Sequence, residues 1–391
     1  MKKNSNKETV KEQESIGKAG IGLLKKLEIA RKKQEASSAG QGIEYYIGID
    51  LGDRKSHYCI LDKEANILVE GNLPTTAAGF AGHFKALGRS RIALEVGTHS
   101  PWVSDQLEQQ GHDVYVANPR KMGGRKNRRK NDRLDAETLS RQVRSDPAQL
   151  YPIRHRREKS RRGLILLRAR DAFVNARTKL VNAARGLVKS SGCRLPKCGS
   201  EVFHKLCLEG LPEELRVVLK PMLEQIGQLT EKIKGYDKEV NQISLKAYPE
   251  TKILRQVKGV GPLVALAYVL TMEDPGFFRN SRDVGPYLGL VPKQYDSGNS
   301  SPQLRITKTG DRMMRKLLVQ SAQYILGPFG PDSDLQRHGK NIAERGGKNG
   351  KKRAVVAVAR KLAVLLHRLW LTGEVYEPLY NSRLNDLQKA A

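Results

Sequence analysis

The sequence predicts an α/β domain, a helical arm and a mainly α-helical C-terminal domain. Three observations carry this. Short apolar runs closed by Gly and Asp alternate with helical patterns as far as residue 146. Two stretches between residues 166 and 243 then step their apolar residues by three and four. From Thr251 onward, helix-length apolar patterns return.

Residues 1–42 are rich in Lys, Glu, Gln and Ser, and 37–42 (SSAGQG) reads as a linker. A flexible basic tail, either a frayed helix or disordered and without chemistry, is expected. YYIGID (45–50), HYCILD (57–62) and ANILVEG (65–71) then read as a three-stranded antiparallel meander. A helix over 76–87, a strand at 91–96, a helix over 101–111 and a strand at 113–118 follow. Strands alternating with helices imply a partly parallel sheet with helices on its faces. DRLDAETLSRQVRSD (132–146) reads as a helix with acids in its first turn, where the helix dipole favours them.

Leu166, Ala169, Phe173, Ala176, Leu180, Ala183 and Leu187 form one stepped stripe. Leu219, Met222, Ile226, Leu229, Ile233, Tyr236, Val240 and Ile243 form another. Each runs for about three heptads, the lower bound for a coiled coil. Pro and Gly in 192–212 break the helix between them. An oligomerisation arm and an ordinary buried hairpin both fit. Patterning puts the α/β domain at 43–150, the arm at 151–250, the C-terminal domain at 251–378 and a tail at 379–391.

The 391 residues carry 70 Lys+Arg against 41 Asp+Glu, a net charge of +29. Such a surplus repels itself and becomes favourable against a polyanion, whose counterions it releases. The charge is clustered: eight Lys or Arg in 120–133, six in 154–162 and five in 345–353. Arg125, Lys126, Arg128, Arg129 and Lys130 are candidate phosphate contacts in a mobile loop. No apolar run approaches membrane-spanning length, and the polar residues after Lys3 argue against a signal peptide. Four unevenly spaced Cys fit a reducing cytoplasm and no disulfide framework. Cys193, Cys198, His204 and Cys207 lack the paired spacing of common zinc sites.

Four acids stand out. Asp50 closes the first strand and Glu95 the fourth, and ligand sites in α/β sheets lie at such edges. Asp132 and Asp135 sit three apart at a helix start and share a face. Converging carboxylates persist around hard cations such as Mg²⁺ or Mn²⁺, which activate and steady oxygens in phosphodiester chemistry. Acids after strand one, after strand four and on the last helix describe a ribonuclease-H-like nuclease. Asp53 and Asp62 read as turn acids. GIDLGDRKS (48–56) also fits the first phosphate loop of actin-like ATPases, but the second Asp-x-Gly-Gly loop is missing.

The C-terminal part offers two further features. Gly259 and Gly261, in GVGP, resemble a helix-hairpin-helix turn whose N–H groups and following helix suit a phosphate. Ser297, in QYDSGNSS near Lys308 and Arg312, is a candidate nucleophile, activated by a base and steadied by cations.

GIDLG, LEVGTHS and KNDRLDA, followed by KGVGPLVA, YLGLVPKQYDSGNSS, ITKTGDRMMRKLL and RAVVAVARKLA, resemble in order the IS110 family of bacterial insertion-sequence transposases. The resemblance runs from about Tyr45 to Trp370. It implies a RuvC-like DEDD domain joined by a coiled coil to a transposase domain with a nucleophilic Ser. It implies DNA cutting and rejoining through a covalent serine–DNA intermediate, directed by a structured RNA that the element encodes. By motif position it makes Asp50, Glu95, Asp132 and Asp135 the metal acids and Ser297 the nucleophile. Asp296 replaces another small polar residue found in many members, and Ser300 and Ser301 lie close. A homodimer or homotetramer acting on DNA in the cytoplasm, associated with the nucleoid, is the corresponding expectation. A RuvC-like metal-dependent junction endonuclease and a non-catalytic nucleic-acid-binding protein are the alternatives.

Overall fold

Five strands form one sheet in the computed structural model of the chain, which describes residues 22–28, 42–122, 131–207, 211–298, 300–302 and 304–383. They are β1 (Tyr45–Asp50), β2 (Lys55–Leu61), β3 (Ile67–Pro74), β4 (Ser90–Glu95) and β5 (Asp113–Ala117), in the order β3-β2-β1-β4-β5. β1 pairs antiparallel with β2, and β2 with β3; β1 and β4, like β4 and β5, are parallel. The expected meander and partly parallel sheet are therefore both present. The parallel pairs need crossovers, supplied by α1 (Ala77–Phe84) and α2 (Ser100–Gln109).

The central strand is buried on both faces. Tyr45, Ile47 and Ile49 pack with Phe80, Phe84, Val103 and Leu107 of α1 and α2. Across the sheet lies α3 (Asp132–Ser145), whose Ala136, Leu139 and Val143 pack near Cys59, Ala93 and Ala117. Gly48 makes this approach possible. A Cβ there would stand 1.9 Å from the Ala136 carbonyl oxygen and 2.4 Å from the Ser140 nitrogen. Gly48→Ala is expected to cost about 3 kcal/mol or more, because backbone rather than a flexible side chain must yield. Urea unfolding with an unchanged midpoint would contradict this packing.

A short helix within the N-terminal tail fits one of the two expectations, and its packing goes beyond both. Residues 22–28 are helical, and Leu23 and Leu27, each 2% exposed, sit in the core with Ile47 and Phe84. Their i,i+4 spacing is a single helical contact inside a Lys- and Glu-rich stretch, too short a pattern to register as periodicity.

The chain divides into two compact units, 1–155 and 156–391. In the second, α4 (Glu158–Ser190) and α5 (Glu213–Lys246) fold back antiparallel. Arg170 Nε lies 2.6 Å from Asp237 Oδ1, the Phe173 and Tyr236 rings are 5.6 Å apart, and Arg177 donates to Thr230 Oγ1 at 3.2 Å. On α5 the expected stripe faces inward. On α4 the outer half of the stripe is shifted by one residue: Val181, Ala184 and Val188 are buried, whereas Ala183 and Leu187 are exposed. Two overlapping apolar stripes occur on this helix. Phe203, Cys207 and Leu211 from the connector pack with the second, and tertiary contact decides between them.

α6 (Pro262–Met272), α7 (Arg312–Leu326), α8 (Asp334–Glu344) and α9 (Gly350–Thr372) build the remaining core. The buried Tyr268 hydroxyl donates to the Ala363 carbonyl at 2.7 Å. Leu164, Leu167 and Val240 from the base of the arm join this core. Arm and C-terminal helices thus form one unit, where patterning alone separates them at residue 250. Among the described residues, no helix is long and apolar enough to cross a membrane.

Candidate active site

Strand parity places the acids. Side chains alternate across a sheet, so Asp50 lies on the face of Gly48, the face that α3 covers. Glu95 likewise shares a face with Ala93, which packs with Leu139 and Val143 of α3. Ile49 pairs with Leu94 in parallel register, so Asp50 and Glu95 end neighbouring strands at the same edge. α3 begins at that edge with Asp132 and Asp135 in its first turn. Asn131 caps the helix by accepting from the Arg133 N–H at 3.1 Å, so Asp132 is not needed as a cap. Arg133 binds Glu70 of β3 at 2.9 Å, and Arg144 donates to the Lys63 carbonyl at 3.0 Å, tying α3 down.

Asp50 feels this surrounding. Burial, then the charges of Asp132, Asp135 and Glu95, push its carboxyl up from 3.8 to about 6, with His57 opposing. The donors are all carboxylate oxygens, a set that suits Mg²⁺ or Mn²⁺. Among the described residues, no three such side chains are gathered closely enough to hold a metal ion. Asp132 stays 68% exposed. Electrostatics therefore join the four acids at one edge, while their coordination geometry is open.

Two histidines at this edge escape a reading of sequence motifs. His57 stands opposite Asp50 in the β1–β2 register, with Nε2 3.8 Å from Asp132 Oδ2. Counting across the short β1–β2 turn would have found it. His99 accepts the Trp102 indole N–H on Nδ1 at 3.1 Å, which leaves Nε2 to face Asp53 at 3.5 Å. Asp53, in the bend between β1 and β2, and Asp62, which accepts from Asn66 at 2.8 and 2.9 Å, are both turn acids as expected.

In the second unit, Ser297 occupies the tip of a hairpin. Thr307 N–H bonds Val291 O and Lys293 N–H bonds Arg305 O at its base, each at 2.9 Å. At the tip Ser297 and Ser300 exchange both backbone bonds, at 3.1 and 3.0 Å. Gly298 takes φ +53° there, a left-handed value that favours glycine in tight hairpin turns. Ser297 is exposed. Among the described residues no side chain hydrogen-bonds its hydroxyl, and no contact joins it to Lys308 or Arg312. Lys308 lies past the hairpin base, and Arg312 opens α7, capped by Asp311.

Gly259, at φ +93°, turns the chain against Tyr324 of α7, and Gly261 caps the start of α6. Of the basic runs, Arg125, Lys126, Arg128, Arg129 and Lys130 lie outside the described residues. The 154–162 run is partly used internally: Arg156 donates to the Thr271 carbonyl at 3.1 Å, and 158–162 begin α4.

Two family models match the chain. One, described as a DEDD transposase of the IS110 type, covers residues 47–192. The other, the transposase IS116/IS110/IS902 family, covers residues 251–334. A transposase for insertion sequence element IS1111A from Coxiella burnetii is 30% identical over 254 residues, 63% of this chain and 68% of the relative. The chain belongs to the IS110 family of insertion-sequence transposases. The transposase for element IS1328 of Yersinia enterocolitica is 28% identical, over 84% of this transposase and 98% of the relative. A probable family 20 transposase of Pseudomonas aeruginosa is 25% identical, over 85% and 98%. The sheet and α3 of this transposase are compatible with a DEDD ribonuclease-H-like domain, and such a domain points to divalent metal dependence in general.

Proposed function

We propose that this transposase cuts and rejoins DNA through a covalent bond between Ser297 and a DNA phosphate, assisted by a metal-dependent DEDD site. What supports the reading is that Asp50 and Glu95 end neighbouring strands at one sheet edge, where burial and then the charges of Asp132, Asp135 and Glu95 push Asp50 up to about 6. Asp50, Glu95, Asp132 and Asp135 would hold Mg²⁺ or Mn²⁺, which supplies Lewis-acid stabilisation of charge on phosphate oxygens. Ser297 Oγ forms a bond to phosphorus as a sugar oxygen leaves with the proton. Attack by the hydroxyl of a second DNA end then breaks the phosphoserine bond and restores Ser297. Bond energy is conserved, so rejoining needs no external source. The exposed hairpin tip gives Ser297 access to a duplex. Among the described residues no side chain hydrogen-bonds its hydroxyl, and a composite site completed across a dimer or tetramer held by the arm would supply the base.

Gly259 and Gly261 would offer N–H groups to a phosphate at the start of α6, in a helix-hairpin-helix manner. The basic load suits two polyanions, the DNA and a guide RNA encoded by the element. Replacing Arg125, Lys126, Arg128 and Arg129 by Gln should flatten the salt dependence of duplex binding by about 0.9 for each phosphate no longer neutralised. An unchanged slope would make that run a solvated loop.

The deciding experiment supplies DNA carrying the element's ends. Joined products with Mg²⁺, and none after chelation, support the proposal. Nicked but never joined DNA supports the junction endonuclease, and binding alone supports a non-catalytic protein.

A further inference from the structure

A groove of about 1840 Å³ opens in the second unit between α8, α9 and the base of the Ser297 hairpin. It is larger than the roughly 300–1,000 Å³ typical of small-molecule pockets. Arg282, Arg305, Arg345, Lys352, Arg360 and Lys361 line it, and all six are exposed. None has a carboxylate partner among the described residues. Of the groove's acids, Glu374 is paired with Arg368 at 3.2 Å and Glu377 with Arg383 at 3.7 Å, while Asp334, hydrogen-bonded by Asn381 and Ser382, keeps its charge. One carboxylate without a cation against six cations leaves the lining net positive. His338, also in the lining, is driven down by burial and then by Lys361.

The lining also has an apolar and aromatic part, made by Leu304, Val356, Val364, Tyr376 and Tyr380. A duplex keeps its base faces stacked inside and would leave the apolar and aromatic lining unused. A single strand offers both phosphates and unpaired base faces, which matches a lining that combines cations with apolar and aromatic side chains.

We infer that this groove holds a single-stranded segment of nucleic acid, with phosphates on the six cations and bases against the apolar and aromatic lining. The inference rests on the nucleic-acid reading above and deepens it. The segment leads to the base of the hairpin whose tip carries Ser297. DNA opened at the cut site and an unpaired stretch of RNA share this chemistry, and the test separates them.

Fluorescence anisotropy with the full chain would compare one sequence as single-stranded DNA, single-stranded RNA and duplex DNA, across a salt series. Changing Arg282, Lys352, Arg360 and Lys361 to Gln should lower the single-strand salt slope by roughly 0.7 for each phosphate left without its cation. Tyr380→Ala should weaken single-strand binding about tenfold and leave duplex binding unchanged. The preferred strand, DNA or RNA, identifies the source. Thermal melting confirms that each variant is folded; a misfolded quadruple variant is replaced by Lys352→Gln and Lys361→Gln singly. Slopes unchanged in all variants would overturn the groove as a binding site. Equal losses for duplex and single strand would overturn the single-strand assignment. Strand joining by the wild type is read separately, so a groove that binds in a protein that never joins DNA would refute the proposed reaction and leave this inference standing.

Discussion

Asp50→Asn is expected to stabilise the metal-free transposase while abolishing strand cleavage. The carboxyl of Asp50 sits above its ordinary value because burial and three neighbouring acids oppose its charge. A group whose folded pKa exceeds its unfolded value destabilises the fold when ionised. That cost is fully present above the folded value of about 6, and it fades as pH falls from there towards 3.8. The Asn variant should therefore melt higher than the wild type at pH 7.5 without metal, and the gap should close by about pH 4. Mg²⁺ should raise the melting temperature of the wild type, since it binds only the folded state, and raise that of the variant much less. Cleavage should fall roughly a thousandfold, because metal stabilisation amounts to several kcal/mol and each ~1.4 is a factor of ten. DNA binding should stay near normal. A variant that melts lower than the wild type, or that cleaves fully, contradicts the role given to Asp50.

Ser297→Ala carries the second large effect. The residue is exposed at a hairpin tip, and its backbone, not its hydroxyl, closes the turn. Stability should change by less than about 0.5 kcal/mol, and DNA binding should be retained. Strand joining should fall to background, because Ala has no oxygen to hold the phosphate between the two displacements. Ser300→Ala and Ser301→Ala should keep most activity. If Ser300→Ala alone abolishes joining, the nucleophile is its hairpin partner and the mechanism survives with the residue reassigned.

The order of strands and helices in the first unit is legible in the sequence because each strand is a short apolar run with Gly or Asp after it. The edge location of Asp50 and Glu95 follows from the same pattern. What sequence does not reveal is how close α3 comes to the sheet, since Gly48 reads as part of an ordinary GID motif until Ala136 is seen above it. His57 shows its meaning only once β1 and β2 are set in register, which places it opposite Asp50. The buried α4 stripe lies one residue away from the patterned one beyond Phe173 because both stripes are apolar, and packing against the connector's Phe203 and Cys207 and against Leu219, Leu223 and Ile226 of α5 distinguishes them. The groove cations are invisible for a different reason. Arg282 and Arg305 lie far in sequence from Lys352, Arg360 and Lys361 of α9, and folding brings them to one groove.

The most direct measurement is the protein–DNA linkage itself. A reaction on DNA with the element's ends, stopped with denaturant and digested, gives peptides for mass spectrometry. A nucleotide attached through phosphate to the peptide containing Ser297, present with the wild type and absent with Ser297→Ala, is the predicted result. Joined DNA produced with no protein-linked nucleotide at any stage would contradict the serine mechanism.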